Sequence, residues 1–191
     1  MFRTLALLAV VVTASCASAL TGIQDTALWL KFERGHCSGT AVGPHLVLSA
    51  EHCWGNGNQL VAINGREAHV TKMVKDGRDH VLVRVSVKFD RWARMAPHHP
   101  KQGDRVRWIG NPTSLRHQYR EGYVTGVDGG QMLLDARLFG GDSGSGVFDD
   151  HGHVVGVVSA MRRWQTLQGM SMQLAVAFPV SFSAEQWRSV R

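Results

Sequence analysis

The sequence predicts an all-β chain. Its apolar runs are short, rich in valine, and separated by glycine, proline or aspartate at close and fairly even intervals. Runs of that length and spacing fit a β-barrel or sandwich better than alternating β and α elements. With 191 residues, 44% of them hydrophobic, the chain can bury a sizeable core within one compact unit.

The elements follow in chain order. Arg3, the apolar residues 5–12 and the small-residue run Ala17-Ser18-Ala19 read as an export signal over residues 1–19, with the mature chain starting near Leu20. That apolar run is too short to span a membrane. A lipoprotein box ending at Cys16 is the minor alternative. A first set of strands is ALWLKF, TAVG, HLVLSA, QLVAI, EAHVTKMV and HVLVRVSV; a second is RVRWIG, GYVTGV, QMLLDA, GSGVF, HVVGVVSAM and MQLAVAF. Between the sets, residues 90–103 carry Pro97, His98, His99 and Pro100 and break the pattern, as a linker would. SAEQWRSVR closes the chain with Ser183 as N-cap of a short helix.

The chemistry concentrates in three segments. GDSGSGVF presents Ser143 in a glycine-rich turn; CSGTAVGPHLVLSAEHC brackets His52 between Cys37 and Cys53; GRDHVLVRV carries Asp79, with Asp76 three residues before it. A serine hydroxyl attacks a carbonyl only when a histidine takes its proton, and a buried carboxylate must fix that histidine's tautomer. Gly141 lacks a side chain, so its N–H and that of Ser143 can point together at a developing oxyanion, each donor lowering the barrier by about 3 to 4 kcal/mol. The order His, Asp, Ser is that of chymotrypsin, not of subtilisins or α/β-hydrolases.

These blocks together resemble a trypsin-like, chymotrypsin-fold serine peptidase of the compact bacterial or viral kind. LVLSAEHC resembles that family's LTAAHC block, DHVLVRV its aspartate-plus-strand block, GDSGSG its GDSGG block and GVVSAM its GIVSWG strand. DARLFGGDSG and WIGNP are also similar to segments of the high-temperature-requirement proteases. The resemblance implies two six-stranded antiparallel β-barrels with a short C-terminal helix. Residues 20–95 would carry His52 and Asp79, and residues 96–191 would carry Ser143. It selects Asp79 over Asp76 as the acid, gives Ser159 the support of Asp79, and places Arg137, Val158, Ser159, Ala160 and Met161 around the specificity pocket. Glu51, Gly146 and Met161 depart from the family's usual residues. Arg137 falls where a trypsin has its pocket-floor aspartate, so cleavage after Lys or Arg is disfavoured, leaving an acidic or a small apolar residue before the scissile bond. Asp142 stands where a trypsin's aspartate receives a freed N-terminal amine. LTGIQDTALW contains no matching start, so Asp142 should either find an internal donor, Arg120 and Arg137 being the nearest in sequence, or remain partly solvated.

Once the leader has left, Cys37 and Cys53 are the one possible disulfide pair, favoured in an oxidising compartment. No cofactor or metal is expected: His36 and His52 lack zinc-ligand spacing, HGH at 151–153 after two aspartates is turn chemistry, and His98-His99 suits a solvated linker. The net charge of +6 comes from scattered basic residues without a nucleic-acid-binding signature, and the six tryptophans suit packing. The expected partner is a protein or peptide substrate, met by a monomer that is secreted or periplasmic. The alternatives are an inactive peptidase-fold protein that binds peptides, and an esterase on another scaffold; the intact residue set opposes the first and the chain order the second.

Overall fold

The computed structural model describes residues 22–165, 167, 169 and 171–191; the export signal, its cleavage site and Cys16 lie outside the described residues. The first seven strands are β1 (Ala27–Phe32), β2 (His36–Gly43), β3 (Leu46–Ala50), β4 (Leu60–Ile63), β5 (Arg66–Glu67), β6 (Val70–Lys75) and β7 (His80–Val85). They form one antiparallel sheet in the order β5-β4-β1-β2-β3-β7-β6. The other seven are β8 (Arg94–Met95), β9 (Arg105–Gly110), β10 (Gln118–Asp128), β11 (Gln131–Leu134), β12 (Gly146–Phe148), β13 (His153–Gln165) and β14 (Ser171–Pro179). Their order is β12-β9-β10-β11-β14-β13-β8, and a β12–β13 pairing closes six of them into a barrel, with β8 added outside. The first sheet curls as a half-barrel whose edges, β5 and β6, are not paired with each other.

Local sequence accounts for this wrapping. β3 (LVLSA) is buried throughout and lies between β2 and β7, whereas β10 alternates and turns Gly122 and Val124 inward. Asn64-Gly65 and Gly129-Gly130 take positive φ at both positions and turn β4 into β5 and β10 into β11. Turns of this kind match the strand twist and fix the register. The EAHVTKMV run is divided into β5 and β6, since Ala68 and His69 leave the ladder.

The linker contains a strand that periodicity did not announce. Arg94–Met95 pairs parallel to His153 and Val154, so β8 belongs to the second sheet although it precedes the expected division after residue 95. The C-terminal helix, Ala184–Ser189, starts at Ser183 with a capping box closed by Gln186. Phe182, Trp187 and Val190 pack it into the core cluster of the first sheet. Arg84 donates to the carbonyls of Val190 and Arg191, so the last residues strap the second half onto the first.

Candidate active site

Strand pairing brings His52 and Asp79 together. Ala50 at the end of β3 pairs with His80 at the start of β7, and the Glu51 N–H donates to the Asp79 carbonyl at 2.8 Å. His52 lies one residue further on, in a 3-10 segment spanning Glu51–Gly57. Its Nδ1 is 2.8 Å from Asp79 Oδ2 and 3.0 Å from Oδ1, while its backbone N–H donates to Oδ1 at 2.9 Å. The Ser159 hydroxyl donates to Asp79 Oδ2 from the second barrel. Burial pushes the Asp79 pKa upward, but the hydrogen bonds from His52 and Ser159 outweigh it and hold the carboxyl below its ordinary value. The His52 side chain is 47% exposed and that of Asp79 is 25%. The imidazole is thus open to solvent while the carboxylate is sheltered.

Asp76 has another partner. Its carboxylate accepts from the N–H groups of Arg78 and His80, from His80 Nδ1 at 2.6 Å and from the Ser181 hydroxyl at 2.9 Å. Burial opposes ionisation here, yet these donors and the His80 charge bring Asp76 down to about 2. It shapes the turn that presents Asp79, which has a φ of 65°. This second aspartate–histidine pair was not foreseen, although the D-x-x-x-H spacing at Asp76 and His80 was present in the sequence.

Ser143 lies between β11 and β12 on a loop tied to the first sheet. The Ser38 N–H donates to the Ser143 carbonyl at 2.8 Å, and the Ser38 hydroxyl donates to the Gly141 carbonyl at 2.8 Å. Two glycines permit this contact. Gly141 has a φ of 101° and Gly144 one of 89°, and a Cβ on Gly144 would stand 2.1 Å from the Ser38 carbonyl oxygen. The Thr113 N–H donates to the Gly140 carbonyl at 2.7 Å. Because the C=O and N–H of a trans peptide point in opposite directions, this bond turns the Gly141 N–H the other way. Among the described residues, neither the Gly141 N–H nor the Ser143 N–H has a protein acceptor. The Ser143 hydroxyl lies 3.4 Å from the Ser159 carbonyl, its hydrogen-bond acceptor, and makes no hydrogen bond to His52.

Asp142 is fully buried, so of the two outcomes the sequence left open it meets internal partners rather than solvent. Arg120 Nη2 lies 3.6 Å from its Oδ2, and the Phe139 N–H donates to the same oxygen at 3.0 Å. Arg137 is exposed and is not among them. Burial keeps the Asp142 pKa above its ordinary value despite Phe139 and Arg120.

A cavity of about 250 Å³ beside Ser143 is lined by Leu138, Phe139, Gly140, Asp142, Ser143, Ser159, Ala160 and Met161. Of the residues that the family pattern assigns to the specificity pocket, Ser159, Ala160 and Met161 line this cavity. Arg137 and Val158 do not. Arg137 faces solvent, and Val158 is buried with its N–H and carbonyl bonded to Ser145 and Gly144. Leu138 and Phe139, which follow Arg137 directly, line the cavity in its place. A larger hollow of about 730 Å³, between the linker and the C-terminal helix, is lined by none of His52, Asp79 and Ser143.

Cys37 on β2 and Cys53 behind His52 form a disulfide with a Cα–Cα distance of 6.3 Å. Asp149 Oδ1 accepts from the N–H groups of His151 and His153, an Asx-type turn at the HGH segment. Among the described residues, no three His, Cys, Asp or Glu side chains cluster as metal ligands, and no helix is long and apolar enough to cross a membrane.

Comparison with known proteins agrees with this architecture. Rv3671c from M. tuberculosis H37Rv, as an inactive serine-to-alanine mutant, superposes with a TM-score of 0.71 at 16% identity, covering 90% of this chain and 89% of that one. Its active form gives 0.71 at 15% identity, covering 90% and 83%. A Glu endopeptidase in complex with MPD gives 0.63 at 18% identity, covering 81% and 86%. No curated protein matches the sequence. The family model described as a trypsin-like peptidase domain matches residues 37–157, which include His52, Asp79 and Ser143. With most of its length matched by that model and its two sheets folded as in chymotrypsin-like proteases, this chain belongs to the trypsin-like peptidase family.

Proposed function

We propose that the protein is an exported serine endopeptidase that hydrolyses peptide bonds through an acyl-enzyme on Ser143. The observation that carries this reading is the link through Ser159, whose hydroxyl donates to the Asp79 carboxylate that contacts His52 Nδ1 and whose carbonyl is the acceptor of the Ser143 hydroxyl, beside a cavity that Ser143 and Ser159 line.

The steps follow from the geometry. Beyond Val157 the edge of β13 that faces β12 has no strand partner among the described residues, so an extended peptide can add there as a further strand. A substrate N–H that takes the Ser159 carbonyl displaces the Ser143 hydroxyl from that acceptor and frees it to turn to His52. His52 Nε2 removes the proton as Ser143 Oγ attacks the scissile carbonyl. Asp79 holds the Nδ1–H and stabilises the imidazolium, and the amides of Gly141 and Ser143 receive the oxyanion. His52 then protonates the leaving amine, and water repeats the sequence on the ester.

The resting bond from Ser143 to Ser159 is the one feature that would suit an inactive peptide-binding relative. At 3.4 Å it is long for a hydroxyl bond, and rotation about χ1 releases it. The disulfide supports export, since such bonds persist in oxidising compartments. Labelling with a fluorophosphonate probe tests the proposal. A reactive serine that vanishes in Ser143→Ala is expected; failure of the wild-type protein to label refutes it.

A further inference from the structure

The sequence left open an acidic or a small apolar residue before the scissile bond. We infer, building on the peptidase reading, that the pocket beside Ser143 takes an uncharged apolar side chain. Leu138, Phe139, Ala160 and Met161 supply its carbon surface and Gly140 leaves its rim open. Leu138 belongs to the core of the second barrel, so this wall is a fixed part of the protein interior.

Neither sign of charge finds an accessible partner, since the Asp142 Oδ1 that lacks a hydrogen bond is itself buried. A basic substrate side chain would need a carboxylate, and the one in the lining is Asp142, whose Oδ2 is held by Arg120 and the Phe139 amide. Its Oδ1 is turned away toward Gly110, where an added Cβ would lie 2.1 Å from it. An acidic side chain would need a cation, and none lines the cavity. Arg137 is exposed outside it, while Arg120 lies across the Phe139 ring at 5.3 Å and is committed to Asp142. A charge entering this cavity would lose its water without gaining a partner, whereas an apolar group would lose nothing.

Met161 sets how large that group can be. It is 44% exposed, lines the cavity, and its sulfur touches the Gln173 side-chain amide on the neighbouring strand. An unbranched thioether there narrows the opening yet adapts to what enters. Met161→Gly should therefore extend acceptance to larger aromatic side chains.

The test separates the pocket from the chemistry. Capped peptides ending in Leu, Phe, Lys or Glu, otherwise identical, are titrated calorimetrically into the full chain carrying Ser143→Ala, where binding needs no turnover. The Leu or Phe peptide should bind at least tenfold more tightly than the Lys and Glu peptides. Adding Met161→Gly should improve the Phe-to-Leu ratio several-fold, and adding Arg137→Ala should leave the ranking unchanged. Equal or tighter binding of the Lys or Glu peptide would overturn the inference, as would a ranking that changes with Arg137→Ala. Fluorophosphonate labelling of the wild-type protein reports separately on the catalytic reading.

Discussion

His80 joins the two halves of the protein through Phe178, whose carbonyl oxygen on β14 lies 3.1 Å from His80 Nε2 on β7. Nδ1 of the same ring faces Asp76, so both ring nitrogens lie against oxygen atoms. The pair is sealed, with side-chain exposures of 0% for His80 and 1% for Asp76. It lies directly behind the turn that presents Asp79.

Asp76 and Asp79 should consequently fail in different ways. Asp79→Asn leaves His52 in the wrong tautomer and should lower kcat by about 10⁴-fold with little change in melting temperature. Asp76→Asn should chiefly lower stability, by about 3 kcal/mol, because it disrupts the buried carboxylate that accepts from Arg78, His80 and Ser181. Parallel kinetics and thermal melts would show an exchange of these two phenotypes if the wrong aspartate had been assigned.

The same carboxyl sets an acid limit. Asp76 falls from an ordinary 3.8 to about 2 on folding, so its stabilising contribution is complete above roughly pH 4 and is lost as pH drops toward 2. Urea denaturation of the wild type between pH 5 and 2 should show that decline. Asp76→Asn should flatten it, and an unchanged slope would remove Asp76 from the account.

Ser143→Ala and His52→Ala should each abolish nearly all turnover, and the double variant should be scarcely slower than either. Proton transfer and attack are one event, so the losses do not add. Single-turnover kinetics on a peptide ester would detect additivity if His52 acted independently.

Reduction of the disulfide should lower activity before it unfolds the chain. Cys37 lies on β2 next to Ser38, and Cys53 follows His52, so opening the bridge should loosen His52 and the support of the Ser143 loop together. The closed loop contributes about 3 kcal/mol. Activity and far-ultraviolet circular dichroism followed during a reductant titration should therefore separate, activity falling first.

With Arg120 already reaching Asp142, the Ser143 loop should order without a freed N-terminal amine. A protein bearing extra residues ahead of Leu20 should stay active. Arg120→Ala should lose most activity and on the order of 3 kcal/mol of stability by stranding a buried carboxylate. Activity that appears only after release of one defined N-terminus would contradict this arrangement.

Much of the site was legible because its chemistry is local in sequence: SAEHC, RDHVLV and GDSGSG each place a reactive group beside the backbone that holds it. The strand pattern was legible for the same reason, as at β3 and β7, where burial on both faces leaves continuous apolar runs. What escaped depends on long-range contact. β8 has two residues, neither of them patterned, and exists because β13 offers an edge. The outward course of Arg137 could not be read from counting back from Ser143, since position along a loop does not give direction. The roles of Ser38, Asn111 and Thr113 arise between barrels; Asn111, fully buried, gathers the Leu28 carbonyl, the Ser38 hydroxyl and the His117 N–H around one side chain.

Ser38 has a consequence for the life of the chain before it is finished. It is made well before the carbonyls it grips, those of Gly141 and Ser143, which lie about a hundred positions later in the chain. The early part holds a base with nothing to activate, and the late part holds a hydroxyl on a loop that lacks its clamp. A hydrolase assembled in this manner is harmless to its neighbours while incomplete, and two separately produced pieces would each be inert until they found one another.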